Sequence, residues 1–336
     1  MIRKLLLIIL TVLSLISINF YNVKLNKPLS PVYSSFSQDS LITPVKNTPV
    51  ALVGDLQRTT VWELMIGREQ NDPERKKIIK NIASENPGAL ILLGDMVSNG
   101  SDKNEWIYLE DLLKPVVKEN IPIFPVLGNH EYWGNDSVAL YNAGQVFPVF
   151  QKTHWYSMRY GNIVFIILDS NKGNLPANVW SLQREWFVNK LNYYDSDSSV
   201  KGIVVCLHHP PYTNSIVTGD NTNVQEAFVQ PFLNSQKTMA MISGHAHTYE
   251  RFRVKGKMFI VSGGGGGPRV LLKTGPGTHK DLVNLPSPRP FNYLLLYSKP
   301  GGINIVVRGL NKGSSQFYTL EDFSIPFKKF ITVQNQ

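Results

Sequence analysis

The sequence predicts an α/β protein: layers of helix over sheet, with a ligand crevice at the carboxyl ends of the strands. Three features predict it. Short apolar runs rich in β-branched residues recur along the chain, helical patterns separate them, and each run breaks into a tight turn bearing a carboxylate, amide or imidazole. Runs apolar on both faces suit strands covered on both sides. Their alternation with helices suits βαβ crossovers, whose strand ends line the ligand site.

At the start, Arg3 and Lys4 precede an apolar stretch from Leu5 to Tyr21, and the next charge is Lys24. This is the order of an export signal. No small-x-small pair follows, and the uncharged run is nearly long enough for a bilayer. Residues 1–24 therefore read as a cleaved signal peptide of an exported (periplasmic or extracellular) protein, or as an N-terminal membrane anchor. The absence of a following cysteine excludes a lipoprotein anchor. Residues 25–47, rich in Ser, Pro and Thr, read as a linker to a domain over 48–312.

Within that domain Val50–Val53 runs into Gly54-Asp55-Leu56-Gln57. A helix over about 73–86 opens after Asp72-Pro73 and turns Ile78, Ile79 and Ile82 inward. Ala89–Leu93 then leads to Gly94-Asp95, and after a helix over about 104–119, Ile123–Leu127 leads to Gly128-Asn129-His130-Glu131. A third helix is predicted over about 178–194. Ile203–Leu207 ends in His208-His209-Pro210-Pro211, and Met239–Ser243 in Gly244-His245-Ala246-His247. Asn292–Tyr297 and Ile303–Arg308 read as further strands, and 313–336 as a polar C-terminal extension.

With 34 Lys and Arg against 25 Asp and Glu, the net charge of +9 favours anionic substrates or anionic lipid headgroups in a general way. Lys76, Lys77 and Lys80 form a solvated helix face without interleaved aromatics, so no specific nucleic-acid partner is expected. A single cysteine excludes a disulfide framework and a multi-thiolate metal cage. The run Gly263 to Gly267 lacks a following Lys-Ser/Thr and reads as a tight structural loop rather than a phosphate cradle.

The turn residues carry the chemistry. Two aspartates, an asparagine, a glutamine and at least three histidines offer hard oxygen and borderline nitrogen donors, suited to Zn, Mn, Fe(II) or Co. Asp55 beside Asp95 demands a cation or proton between them. The donors outnumber the four ligands of one tetrahedral zinc, which points to two ions sharing a carboxylate. His245 and His247, two apart, can face one cluster from extended backbone. His208 and His209 compete for one role, because neighbours on a strand end point in different directions.

The ordered set Gly54-Asp55-x-Gln57, Gly94-Asp95, Gly128-Asn129-His130-Glu131, His208 and Gly244-His245-Ala246-His247 resembles the calcineurin-like metallophosphoesterase superfamily. Thr248-Tyr249-Glu250-Arg251 and the Val205-x-x-His208 spacing are most similar to its purple acid phosphatase branch. The resemblance implies a two-sheet mixed β sandwich flanked by helices, with a dimetal site at strand carboxyl ends and a phosphate ester as substrate. It implies that Asp95 bridges two divalent ions (Mn, Zn or Fe). Asp55, Asp95 and His247 would hold the first, with Gln57 where many relatives have histidine. Asp95, Asn129, His208 and His245 would hold the second. His130 would act beside the substrate as phosphoryl stabiliser or acid, and with His208 as the ligand, His209 would face the substrate, support a ligand or pack before Pro210-Pro211. Two departures stand out: Gln57 is a weaker donor than imidazole, and Ser98 occupies the place where the purple branch has the tyrosine that colours an Fe(III) site. A phosphomonoesterase is expected; a phosphodiesterase and a non-catalytic phosphoryl-ligand receptor are the alternatives.

Overall fold

A computed structural model describes residues 28–31, 39–43 and 48–328. The segment read as signal or anchor, 1–24, lies outside the described residues. Among those described, no helix is long and apolar enough to cross a membrane.

Two mixed sheets face each other. The first takes β2 (Val50–Val53), β3 (Ala89–Leu92), β4 (Ile123–Pro125), β11 (Phe291–Lys299), β12 (Gly302–Leu310) and β13 (Phe317–Pro326), in the order β13-β12-β11-β2-β3-β4. The second takes β1 (Asp39–Ile42), β5 (Tyr156–Tyr160), β6 (Ile163–Ile167), β7 (Gly202–Cys206), β8 (Thr238–Ser243), β9 (Tyr249–Val254) and β10 (Lys257–Ser262), in the order β1-β5-β6-β7-β8-β10-β9. The strands that end in the candidate turns run parallel to one another: β2, β3 and the edge strand β4 in one sheet, and the interior strands β7 and β8 in the other.

Period-two alternation explains the layering. On β6, Phe165 and Ile167 point into the core shared by the two sheets. Val164 and Ile166 point outward onto Trp180, Phe187 and Leu191 of the helix Ala177–Ser196. On the other sheet, the helix Asp72–Ser84 buries Ile78, Ile79 and Ile82, and the helix Lys103–Lys118 buries Trp106, Leu109 and Leu113. Both lie within a few residues of their predicted spans.

Two boundaries differ from expectation. Within the expected linker, Asp39–Ile42 pairs in parallel with β5 and so belongs to a sheet. Within the expected polar extension, β13 pairs antiparallel with the whole of β12. It looks polar because it is an edge strand with one face to solvent, and only residues such as Leu320, Phe323 and Ile325 pack on the core. Arg251 grips it from β9 with a bidentate pair to Glu321 (2.7 and 3.1 Å) and lies over the Phe323 ring.

Candidate metal centre

Each candidate side chain sits just past a strand end. Asp55 follows β2, Asp95 follows β3, Asn129 and His130 follow β4, His208 and His209 follow β7, and His245 and His247 follow β8. Four of them have left-handed backbone: Asp55 (φ 63°), Asp95 (φ 51°), His245 (φ 68°) and His247 (φ 44°). L-residues enter this region only when the surrounding structure imposes it, and such positions cluster at functional sites. His245 and His247 thus reach the cluster through a left-handed turn and not through the extended backbone that their spacing suggests.

Asp55, Asp95 and His208 are essentially buried. They offer ligand atoms within 4.8 Å of one another, and so do His208, His209 and His245. His208 joins the two groups. Its Nδ1 donates to the Leu93 carbonyl (2.9 Å), which aims Nε2 inward. Three polar atoms meet that nitrogen: Asp95 Oδ2 at 3.2 Å, Asn129 Oδ1 at 3.1 Å and His245 Nδ1 at 3.1 Å. One N–H cannot serve three partners. His247 repeats the arrangement: Nδ1 donates to the Pro268 carbonyl (2.9 Å), and Nε2 faces Asp55 Oδ1 at 3.4 Å and the Gln57 amide at 2.9 Å. A satisfied amide puts the Gln57 NH2 on the Asp95 and Asp55 carbonyls (3.0 and 3.2 Å) and its oxygen toward His247. Lone pairs of oxygen and nitrogen therefore converge from buried walls, and imidazoles oriented through their other nitrogen present them, so the donor set fits divalent cations.

The charges show the same mismatch. Burial raises the Asp55 carboxyl above its usual value. Burial also opposes the Asp95 charge, but His208 and His130 overcome it and hold that carboxyl well below the usual range. For His208, Asp95 prevails over burial and lifts the imidazole to about 9. Burial and the neighbouring His208 push His209 down to about 3, and burial with the same neighbour pushes His245 well below normal.

His130 stands at the edge. Its Nδ1 contacts the Ser98 carbonyl (2.8 Å), its ring stacks on Trp133 with centroids 3.6 Å apart, and its Nε2 lies 3.7 Å from Asp95 Oδ2. His209 pairs through Nδ1 with Ser170 Oγ (2.8 Å), and its ring lies 4.5 Å from that of His245. Both neighbours on the β7 turn thus approach the cluster, because the chain there is a bend and has left the pleat that would part them.

Glu131 has a definite place. It is fully buried and accepts from the main-chain N–H groups of Asp95 (2.8 Å), Met96 (2.7 Å), Val97 (3.3 Å) and Gly128 (2.7 Å). It ties the β3 turn to the β4 turn. The glycine run is structural, as expected: Gly265 and Gly267 donate to the Gly54 and Asp55 carbonyls (2.9 and 2.8 Å). A Cβ at Gly263 would lie 2.5 Å from Asp55 Oδ2.

Sequence reasoning passed over the turn after β6. Asp169 there accepts from Tyr132 OH (2.5 Å) and lies 3.4 Å from His154, while Ser170 holds His209. The signal was present: Ile163–Leu168 followed by Asp169-Ser170-Asn171 repeats the pattern of an apolar run breaking into a polar turn.

A model of the calcineurin-like phosphoesterase family matches residues 48–249. A protein of Ruthia magnifica subsp. Calyptogena magnifica, named a probable cyclic nucleotide phosphodiesterase, is 25% identical over 187 residues, which cover 55% of this chain and 73% of that protein. Purple acid phosphatase 22 of Arabidopsis thaliana is 26% identical over 226 residues, 64% of this chain and 48% of its own, so the chain spans about half the length of that relative. A solved purple acid phosphatase from yellow lupin (Lupinus luteus) seeds shares the fold, with a TM-score of 0.62 at 17% identity over 89% of this chain and 55% of that one.

Proposed function

This chain belongs to the calcineurin-like phosphoesterase family, and from that membership and the donor geometry we propose that it hydrolyses phosphate monoesters with a pair of divalent cations. The observation that carries the reading is the convergence of Asp95, Asn129 and His245 on His208 Nε2 at 3.1–3.2 Å. Asp55, Asp95 and His247, with the Gln57 oxygen, would hold one cation. Asp95, Asn129, His208 and His245 would hold the other. When bound, the pair supplies Lewis-acid polarisation of the phosphoryl group and lowers the pKa of water.

The chain's own groups do the rest. The Leu93 and Pro268 carbonyls fix which nitrogen His208 and His247 present. The Ser98 carbonyl and Trp133 hold the His130 ring so that Nε2 faces the site, placed to bind a phosphoryl oxygen or hand a proton to the leaving oxygen. Ser170 orients His209 toward the same space. Burial of the acids and of His208 keeps bulk water from competing for these groups.

The test is metal content and turnover of an aryl phosphate by the full chain with added Mn or Zn. Asp95→Asn and His208→Ala are expected to lose metal and nearly all turnover. His130→Ala is expected to keep metal and turn over about 10²–10⁴-fold more slowly, the span of general acid–base catalysis. Full turnover by metal-free Asp95→Asn would refute the proposal. Phosphodiester hydrolysis is the second reading, favoured by the Ruthia relative's name. A faster rate on a bis-aryl diester than on the monoester would select it.

A further inference from the structure

Between Gln57 and Asn71 the chain leaves the wall of the candidate centre and returns to it. At the return, Arg68 Nη2 donates to the Pro268 carbonyl (3.1 Å), which also receives His247 Nδ1, and Asn71 Nδ2 donates to the Gly267 carbonyl (3.1 Å). Thr59 Oγ1 donates to the Glu69 carbonyl (2.6 Å) and closes the neck. Both ends of this excursion are therefore pinned beside the metal-type residues.

Its crest is the short helix Val61–Met65, started by a Thr60/Glu63 capping box: Thr60 N donates to Glu63 Oε2 (2.8 Å) and Glu63 N to Thr60 Oγ1 (3.3 Å). The caps leave the apolar side chains with no inward role, and none of the helix is buried. Val61, Trp62, Met65 and Ile66 are 70–75% exposed, and Leu64 is exposed as well. Five apolar side chains in six consecutive positions facing water mark a contact surface, where a scattered Leu or Val would not.

The occupant follows from charge and side-chain type. Arg68 stands at the base of the excursion, where Arg58 is already paired with Glu105; exposed Lys76 and Lys80 follow on the next helix, and the chain carries +9. Tryptophan among aliphatic residues with basic residues behind it is the make-up of a segment lying in a bilayer interface. The apolar stretch Leu5–Tyr21 behind Arg3-Lys4 reads as an export signal or a membrane anchor, and the second reading would hold the chain at a bilayer. We propose that the 61–66 crest inserts into the headgroup region of an anionic bilayer and seats the mouth of the candidate centre on it, so that the substrate is a phosphate ester displayed by a membrane amphiphile. The substrate clause rests on the phosphoesterase reading; the insertion does not.

The experiment uses the full chain with vesicles of phosphatidylcholine and phosphatidylglycerol, with or without brominated acyl chains. Because the N-terminal segment alone can hold the protein on vesicles, binding is not the readout. Bromolipid quenching of tryptophan emission is expected in the wild type and reduced in Trp62→Phe. The triple variant Trp62→Ser, Met65→Ser, Ile66→Ser is expected to lose about tenfold or more on phosphatidic acid in those vesicles, as insertion scales with buried apolar area. Its turnover of soluble 4-nitrophenyl phosphate should be unchanged. Equal quenching in wild type and Trp62→Phe overturns the insertion. So does Trp62 emission already blue-shifted without vesicles, which would show the crest covered by the N-terminal segment or by a second copy. An equal loss on both substrates overturns it too, because the crest would then be structural. If the wild type turns over neither substrate, the phosphatase reading falls and quenching alone decides the insertion.

Discussion

Removing Glu131 tests whether one buried carboxylate holds the two oxygen-bearing turns together. Its two oxygens receive four main-chain N–H groups at 2.7–3.3 Å, from Asp95, Met96, Val97 and Gly128, and no part of the side chain reaches solvent. In Glu131→Ala those donors lose their acceptor. A buried unsatisfied donor costs about 1–3 kcal/mol, and water entering the vacated space recovers part of it, so the expected destabilisation is about 3–5 kcal/mol. In Glu131→Gln one oxygen remains and an NH2 faces N–H groups, so a loss of about 2–4 kcal/mol is expected from the same per-donor cost. Urea unfolding in chelator measures this without the stabilisation that bound metal adds. The same change frees Asp95 and Asn129 to move, and metal affinity should drop by about 10–100-fold, as for other groups that orient ligands. A loss under about 1 kcal/mol in chelator, with unchanged denaturant slope, would show that the carboxylate is not the main acceptor for these turns.

Gly128→Ala would place a Cβ 2.3 Å from Asp95 Oδ1 and 2.4 Å from Asp95 N, against groups that cannot swing away. Metal content and turnover should fall together, while far-UV circular dichroism stays native. Burial pushes the Glu250 carboxyl up to about 7, against the pull of hydrogen bonds from Thr213 and Asn214. Its folded pKa lies above the unfolded one, so its stabilising contribution is complete below about 4.5 and is lost as pH rises through about 7. Glu250→Gln should therefore flatten the decline of melting temperature over that window, and an unchanged slope would contradict the assignment. Ending the chain after Gly313 removes β13 and strips Arg251 of Glu321. Thermal denaturation should show a lowered midpoint, whereas an unchanged midpoint would restore the reading of that segment as a tail.

Much of this could be read from residues alone because strands and ligand turns are local signals. Val50–Val53 before Gly54-Asp55 and Ala89–Leu93 before Gly94-Asp95 announce both the strand and its chemistry within six or seven residues. What stayed hidden depends on distant pairing. β13 is written as a half-polar segment, and only β12 beside it and Arg251 on β9 make it part of a sheet. The role of Glu131 is hidden because three of its four donors, Asp95, Met96 and Val97, lie on another strand's loop. The left-handed turn that brings His245 and His247 inward leaves the same i, i+2 spacing as extended backbone, so periodicity cannot tell them apart. Ser170 carries no chemical signature until β6 lies beside β7.

The donors also divide by atom type along the chain. Asp55, Gln57, Asp95 and Asn129, which offer oxygen, all come from loops of the six-stranded sheet before residue 130. His208, His245 and His247, which offer nitrogen, come from loops of the seven-stranded sheet after residue 200. Cutting the polypeptide at the exposed Gly134-Asn135 stretch would leave the proposed oxygen ligands on one fragment and the proposed imidazole ligands on the other, so neither fragment would carry the whole proposed donor set. Metal uptake by the mixed fragments would then report, with no substrate present, that β2 had paired with β11 again and the two halves of the candidate centre had met.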